Sequence, residues 1–149
     1  MKNSITDKGY QRNKYLEDLG LSITEYGTNF CDKSDKRWKK WKKERKKYGF
    51  DARECWNMDQ IFVEWLYSHF MKYKEDCDSF IDLKCHKFLY QKEKDTDPIE
   101  ITQSEAIDII CDACKKYLLS EQYSIHVDCS IFKPEIMTLL GEIMPAMWW

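Results

Sequence analysis

Apolar residues spaced three and four positions apart are the feature that most constrains the fold of this chain. The clearest run follows Asn57, in "NMDQIFVEWLYSHFMKYK". Asn57 and Gln60 have the spacing of a capping box, and Trp56 stands where a hydrophobic staple would contact Ile61. This pattern is typical of a long α-helix with a wide buried face. The residues predicted to form that face are Ile61, Phe62, Trp65, Leu66, His69, Phe70 and Tyr73.

Three later segments repeat the helical pattern. The segment "DSFIDLKCHKFLYQK" predicts a helix that ends before the breaker Pro98, with one face formed by Ile81, Cys85, Phe88 and Leu89. Thr102 and Glu105 have capping-box spacing at the start of the next helix. Its predicted buried residues are Ile107, Ile110, Cys114, Tyr117 and Leu118. The C-terminal helix has Pro134 in its first turn. Its predicted inward residues are Ile136, Leu139, Leu140 and Ile143.

Two segments depart from this pattern. Residues 123–132, "YSIHVDCSIF", alternate apolar and polar positions, which indicates a strand, an extended connection, or a strand that pairs with another subunit. Near the N-terminus a short helix is predicted to end at Gly20, followed by an irregular loop. We therefore expect a mainly α fold, a compact single domain over residues 1–149 with five to six helices. At most a minor β element lies near 123–132, and an irregular segment, 1–34, packs on the domain.

Composition supports this class and a location inside the cell. Five glycines and three prolines leave little material for a turn-rich all-β fold, and a hydrophobic fraction of 43% excludes a disordered chain. The first residues contain no apolar core of a signal peptide, and no apolar run approaches the roughly 20 residues that cross a bilayer. Seven cysteines, an odd number, indicate reduced thiols rather than a disulfide framework. We expect a cytoplasmic protein with no membrane partner.

Metal, cofactor and catalytic motifs are weak in this chain. Cys111 and Cys114 form a CxxC, which Cys77, Cys85 and His86 could complete as a zinc site, but the pair falls in the middle of a predicted helix. Structural zinc pairs usually occupy tight turns, so we predict no metal and no cofactor. The chain also lacks a phosphate-binding glycine loop and the common hydrolase and protease motifs. We therefore predict that it is not an enzyme.

A basic block interrupts this otherwise acidic chain. Nine of the twelve residues 36–47 are Lys or Arg, although the formal net charge of the chain is −2. Asp35 is placed to cap a helix here and Gly49 to end it. The aromatic stripe Trp38, Trp41 and Tyr48 is predicted to face inward. The positive side chains predicted to bind a ligand are Arg37, Lys39, Lys40, Lys43, Lys46 and Lys47.

Three interpretations of this helix remain open at the level of sequence. It is a solvated face that balances the acidic body, an anion-binding surface, or a helix that lies on a membrane surface. Same-sign charges four positions apart are unfavourable in a helix by a few tenths of a kcal/mol. A purely structural helix has no need to carry that cost, and this favours the anion-binding interpretation.

Residues 41–75 carry the one family resemblance in the chain. Within this range the matching positions are Trp41, Gly49, Phe50, Asp51, Glu54, Trp56, Met58 and Asp59. Trp148, near the C-terminus, also matches. This pattern resembles that of small uncharacterised tailed-phage proteins. Those proteins carry a Trp, then the motif G-F-D-x-x-[DE]-x-W-x-[LM]-D, and a C-terminal end that contains Trp. The resemblance implies a phage or prophage origin and does not imply any biochemical activity.

The same motif also has a physical interpretation as a corner between two helices. Gly49 ends the basic helix, Phe50 is predicted to plug the junction into the core, and Trp56 to staple the next helix. Asp51 can cap a short turn, and the motif's carboxylates could instead neutralise the neighbouring lysines. Together with Trp38 and Trp41, we expect Gly49, Phe50 and Trp56 to act as structural anchors.

These observations favour a non-enzymatic binding protein. We expect a phage-type accessory protein that interferes with a host process, because its basic helix binds a phosphorylated or nucleotide ligand or a host protein. The alternatives are a nucleic-acid-binding accessory factor and a structural or assembly component of the phage particle. Whether the chain forms a homo-oligomer is left open.

Overall fold

The computed structural model describes residues 13–21, 36–55, 58–77, 82–123 and 126–147. In these ranges the chain is mainly α, as predicted, with one two-stranded antiparallel sheet. The helices are α1 (Lys14–Asp18), α2 (Trp38–Tyr48), α3 (Met58–Cys77), α4 (Gln103–Tyr123) and α5 (Pro134–Ile143). The strands are β1 (Lys87–Tyr90) and β2 (Ile99–Thr102), and short 3-10 helices cover Ser130–Phe132 and Met144–Ala146.

Residue contacts divide the chain into two units, Met1–Phe62 and Val63–Trp149, and the boundary falls inside α3. The first unit carries α1 and α2, and the second carries most of α3, the sheet, α4 and α5. The single-domain expectation stays a prediction. None of the helices in the described ranges is both long and apolar enough to span a bilayer.

The short helix α1 is built by local capping. The Asn13 side chain accepts hydrogen bonds from the backbone N–H groups of Tyr15 and Leu16, at 3.1 and 3.3 Å. After the helix, Gly20 has a φ of 74°, which glycine adopts without steric cost. The predicted helix ending at Gly20 is therefore confirmed. The rest of the predicted irregular segment, residues 1–12 and 22–34, lies outside the described residues.

The two helices α4 and α5 form as the sequence predicts. The carboxylate of Glu105 accepts the N–H of Thr102 at 2.7 Å, and the N–H of Glu105 donates to the Thr102 hydroxyl at 3.2 Å. This reciprocal pair is a capping box at the start of α4. Pro134 opens α5. All the predicted inward residues of both helices are buried: Ile107, Ile110, Cys114, Tyr117 and Leu118 in α4, and Ile136, Leu139, Leu140 and Ile143 in α5.

Helix α3 forms as predicted, but its buried face is partly different. Trp65 and His69 were predicted to face inward and are exposed, with their rings stacked at 4.4 Å between centroids. Leu66 and Phe70 are buried as predicted, together with Val63, which was not predicted. Apolar residues surround most of this helix, so periodicity alone does not select one face. The predicted cap and staple, Asn57 and Trp56, lie outside the described residues.

The segment after α3 is a β-hairpin, and the helix predicted there is wrong. Strands β1 and β2 pair antiparallel, with Phe88 opposite Ile101 and Tyr90 opposite Ile99. Ile101 and Tyr90 are buried, whereas Leu89 points to the other face and is exposed. This alternation is the period of a strand. The loop closes locally, because the Gln91 amide donates to the carbonyls of Lys94 and Thr96 at 2.7 and 2.9 Å.

For residues 123–132 the sequence allows at most a minor β element or an extended connection, and the residues described there contain no strand. Residues 126–129 form no strand, and Ser130–Phe132 is a 3-10 helix that buries Ile131. The Asp128 N–H donates to the Ser120 hydroxyl at 2.7 Å, and the Asp128 carboxylate accepts the Ser130 N–H at 2.9 Å. These local hydrogen bonds replace those that a strand would need from a neighbour.

Glu64 gives the second unit a dependence of stability on pH. This residue is buried in α3. Burial, with a smaller contribution from the negative charge of Glu121, raises the pKa of Glu64 from 4.5 to about 8. Because the folded pKa lies above the unfolded value, the stability from this group is complete below the unfolded pKa and is lost as the pH rises through the folded pKa.

We expect the free energy of unfolding to fall by about 2 kcal/mol between about pH 5 and pH 7 through Glu64. The variant Glu64→Gln cannot lose a proton and should remove most of this fall. Urea unfolding of both proteins at the two pH values measures it. An unchanged pH dependence in the variant would contradict the assignment.

Candidate anion-binding helix

Helix α2 carries the basic block and has a well-defined C-terminus. Gly49 follows it with a φ of 85°, in the left-handed region, and its N–H donates to the Arg45 carbonyl at 3.0 Å. The last turn contains three basic residues, which interact favourably with the negative end of the helix dipole. The prediction for Gly49 is confirmed. At the other end the helix begins at Trp38, and the predicted cap Asp35 lies outside the described residues.

Trp41 lies beneath the basic surface and contacts two guanidinium groups. Its side chain is 2% exposed, in agreement with the predicted inward orientation. The guanidinium carbon of Arg37 lies 4.8 Å from the Trp41 ring centroid, and that of Arg53 lies 4.5 Å from it. Both distances are those of cation–π interactions, which stabilise more when the groups are shielded from water. Trp41 therefore joins α2 to the chain that follows Gly49.

The other aromatic residues of this region do not all behave as predicted. Trp38 is half-buried, but Tyr48 is 56% exposed and Phe50 is 47% exposed. The predictions that Tyr48 faces inward and that Phe50 plugs the core are therefore wrong. Their rings contact each other, at 6.2 Å between centroids. The turn at Gly49 carries Asp51, rather than Phe50, into the interior.

Asp51 is the centre of a buried ion cluster. Asp51 and Arg53 are each 1% exposed. The Asp51 carboxylate accepts hydrogen bonds from Nε and Nη2 of Arg53, at 2.8 and 2.6 Å, and from Nε of Arg45, at 3.1 Å. It also accepts the backbone N–H of Arg53 at 3.1 Å, so Asp51 closes a short turn as predicted. Two arginines from opposite sides of Gly49 thus share one carboxylate.

The electrostatics of this cluster follow from its geometry. Burial alone would raise the pKa of Asp51, but the hydrogen bonds and positive charges of Arg53, together with the charge of Arg45, lower this pKa below its ordinary value. Glu54 adds a second ion pair with Arg45, and the Glu44 carboxylate accepts the N–H of Ala52 at 3.1 Å. The cluster keeps the Asp51 carboxylate charged and ties α2 to residues 51–54.

The lysines of α2 lie on the opposite side of the helix. All the lysines of the block are exposed: Lys36, Lys39, Lys40, Lys42, Lys43, Lys46 and Lys47. Lys40 pairs with Glu44 at 3.6 Å, and the ammonium of Lys47 lies 4.9 Å from the Tyr48 ring centroid. The structure gives no ion pair to Lys39, Lys43 or Lys46 among the residues it describes. These three, which we call the lysine row, follow one line along the helix at spacings of four and three.

The structure separates the predicted site residues into two groups. The lysine row, Lys40 and Lys47 lie at the surface, and Arg37 is also exposed but places its guanidinium group against the Trp41 ring. The motif carboxylates Asp51 and Glu54 pair with arginines rather than with lysines. The buried partner that was not predicted from the sequence is Arg53. Its signal was the charge order of "DARE", in which acidic residues stand on both sides of one arginine near a glycine turn. Trp56 and Trp148 lie outside the described residues.

The cysteine pair of α4 is part of a helix interior. Cys111 and Cys114 are buried. Burial, reinforced by the negative charge of Asp108, raises the pKa of Cys111 to about 12, and burial also raises the pKa of Cys114. Across the described ranges no group of three or more His, Cys, Asp or Glu residues is placed to hold a metal ion. The expected absence of metal stays a prediction.

Thiol reactivity tests this description of the cysteines. In the native protein we expect iodoacetamide to modify the exposed Cys55 and Cys129 first, because thiolate access controls the rate. Cys111 and Cys114 should react about a hundredfold more slowly, since they are buried and their raised pKa keeps them protonated. Peptide mass spectrometry against time measures each rate. If iodoacetamide modified Cys111 as fast in the native protein as in denaturing urea, Cys111 would not be buried.

Comparison of the chain with protein-family models, with curated proteins and with solved structures found no match.

Proposed function

We propose that the protein is a non-enzymatic binding protein whose solvent face of α2 binds a polyanion. The observation that carries this proposal is the lysine row, three exposed side chains to which the described residues offer no ion pair. Concentrated like charge destabilises a helix slightly, so a row of this kind needs a compensating role. Beneath it, Trp41 and the Asp51 cluster hold the opposite side of the helix.

The shape of this face favours an extended anion over a small one. The lysine row lies on the outside of a single helix, and its two ends, Lys39 and Lys46, are about 10 Å apart along the axis at about 1.5 Å per residue. A nucleic acid strand presents phosphates continuously over that length. A small phosphorylated ligand would contact only one or two of the three lysines. Nucleic acid is therefore the anionic partner that we propose.

The resemblance of residues 41–75 to small tailed-phage proteins supports a setting for this activity. In that setting the protein acts in the cytoplasm of a host cell, and binding to nucleic acid would interfere with a host process. Charge on α2 would also increase the rate of association, because oppositely charged partners are steered together at low salt.

Exchange of the lysine row for glutamine tests the proposal. We expect the variant Lys39→Gln, Lys43→Gln, Lys46→Gln to bind a fluorescent single-stranded oligonucleotide at least about tenfold more weakly than the wild type at low salt. The slope of log affinity against log salt should fall by about 2 to 3, because roughly one counterion is released per phosphate neutralised. Fluorescence anisotropy across a salt series measures both quantities.

A second triple variant provides the matched control. Lys84→Gln, Lys92→Gln, Lys115→Gln removes the same charge from exposed positions of the second unit. It should keep the wild-type salt slope. The α2 variant should also unfold at the wild-type urea concentration or slightly above it, because like-charge repulsion is removed. Equal loss of binding in both triple variants, or no binding by the wild type at low salt, would sink the proposal.

A further inference from the structure

One edge of the β-hairpin has open backbone groups. The N–H of Gln103 donates to the carbonyl of His86 at 3.0 Å, which continues the register that pairs Lys87 with Thr102. In an antiparallel pair, hydrogen-bonded and non-hydrogen-bonded residue pairs alternate. The N–H and C=O groups of Lys87 and Leu89 therefore point away from β2. Among the described residues, no backbone or side-chain group makes a hydrogen bond to them.

A groove runs beside this open edge. Helix α4 packs against both strands, and α5 packs against β1 and lines a groove together with Leu89 and Tyr90 at the end of that strand. Between β1, the hairpin loop and α5 the groove has a volume of about 520 Å³. We call it the β1–α5 groove. Leu89, which is 64% exposed, stands on its strand side, and Thr138 and Leu139 stand on its helix side.

The charges that line the groove are mostly negative. Glu135 and Glu142 line it from α5, and Lys94 lines it from the hairpin loop. Glu135 and Tyr90 both line the groove, and burial, together with the negative charge of Glu135, raises the pKa of the Tyr90 phenol. An extended segment that entered the groove would place alternate side chains towards this acidic helix wall. Positive side chains would therefore be favoured at those positions.

We propose that the β1–α5 groove binds an extended basic segment of a partner protein, which pairs with β1 as a third strand. Main-chain hydrogen bonds to Lys87 and Leu89 would hold the segment, and Glu135 and Glu142 would select lysine or arginine in it. Addition of a strand to a sheet edge beside a groove is a general mode of peptide recognition. This interaction uses residues of the second unit and does not depend on nucleic acid binding by α2.

Synthetic peptides test this inference directly. The probe is a capped peptide of alternating lysine and valine, compared with the same peptide in which glutamate replaces lysine. We expect the basic peptide to bind at least about tenfold more tightly, and to shift the amide NMR signals of Lys87 and Leu89. A basic peptide with N-methylated valines cannot donate the strand hydrogen bonds, so it should bind far more weakly.

Two variants and a control assign the binding to the groove. Leu89→Pro removes an outward N–H and leaves the pairing with β2 intact, so it should abolish binding. Glu142→Lys should lower the affinity for the basic peptide by about tenfold. Asp112→Lys makes the same change of charge on α4 outside the groove, and should leave binding unchanged.

Other outcomes would overturn the inference. Equal affinity for the N-methylated peptide would mean that strand pairing is absent, and equal loss in Glu142→Lys and Asp112→Lys would mean attraction to the whole acidic surface. A concentration-dependent dimer that Leu89→Pro dissociates would identify a second copy of this chain, rather than a basic partner, as the occupant. No binding of any peptide at millimolar concentration to the folded protein would reject the site.

Discussion

Replacement of Asp51 by asparagine is expected to lower the free energy of unfolding by about 3–5 kcal/mol, the usual cost of breaking a buried ion pair. The two residues of the pair are each 1% exposed, and the carboxylate accepts three hydrogen bonds from Arg53. Asparagine has almost the same shape but carries no negative charge, so the buried guanidinium of Arg53 would lose its ion pair with Asp51. Urea unfolding monitored by circular dichroism measures the difference.

The same variant should change the response to acid. The folded pKa of Asp51 lies below its usual value of 3.8. Its contribution to stability is therefore present above the unfolded pKa and is lost as the pH falls through the folded pKa. The Asp51→Asn protein should lack this acid-dependent component.

A surface ion pair provides the control for Asp51. Lys72 and Asp76 lie four residues apart on α3, at 2.5 Å, with both side chains substantially exposed. Asp76→Asn should leave the urea midpoint unchanged within error, because solvent screens such pairs. If Asp51→Asn and Asp76→Asn had equal effects, Asp51 would not be the centre of a buried cluster.

Truncation of Trp41 to alanine is expected to cost about 3–5 kcal/mol, as for other large-to-small changes in a protein interior. Trp41 is among the largest fully buried side chains, and its ring contacts the guanidinium groups of Arg37 and Arg53. Its removal would leave a cavity beneath α2. It would also remove the aromatic ring that the guanidinium group of Arg53 contacts. Equilibrium unfolding in urea measures the loss.

Two further variants test whether stability depends on an aromatic ring at position 41 and on the burial of that position. Trp41→Phe keeps an aromatic face for both arginines and should retain more stability than Trp41→Ala. Trp65→Ala removes an exposed indole from α3 and should have a smaller effect than Trp41→Ala. A Trp41→Ala protein with wild-type stability but without oligonucleotide binding would show that the ring contacts the ligand instead of the interior.

Local patterns were enough to predict several elements from the sequence. The Thr102–Glu105 capping box, Pro134 at the start of α5 and the left-handed Gly49 each act over a few residues. Capping and backbone preferences of this kind do not require knowledge of the rest of the chain. The exposure of the lysine row follows from similar reasoning, because charged side chains are rarely buried without a partner.

Tertiary structure decided the features that local patterns leave ambiguous. The segment around Phe88 fits a helix or a strand by its apolar spacing, and pairing with β2 selects the strand. On α3, apolar residues on most sides allowed Trp65 and His69 to be exposed.

The turn after α2 shows most clearly which features follow from local sequence and which depend on tertiary packing. Local sequence patterns are enough to predict a basic helix that ends at Gly49, with the aromatic residue Trp41 on its inner side. Burial of the charged Asp51 and Arg53, with Phe50 left exposed, depends instead on how the folded chain packs around the turn. Burial of a charge is favourable only when a partner of opposite charge is brought to it with good geometry. Arg45, from before the turn, supplies that second partner, and its position depends on how the chain folds back at Gly49.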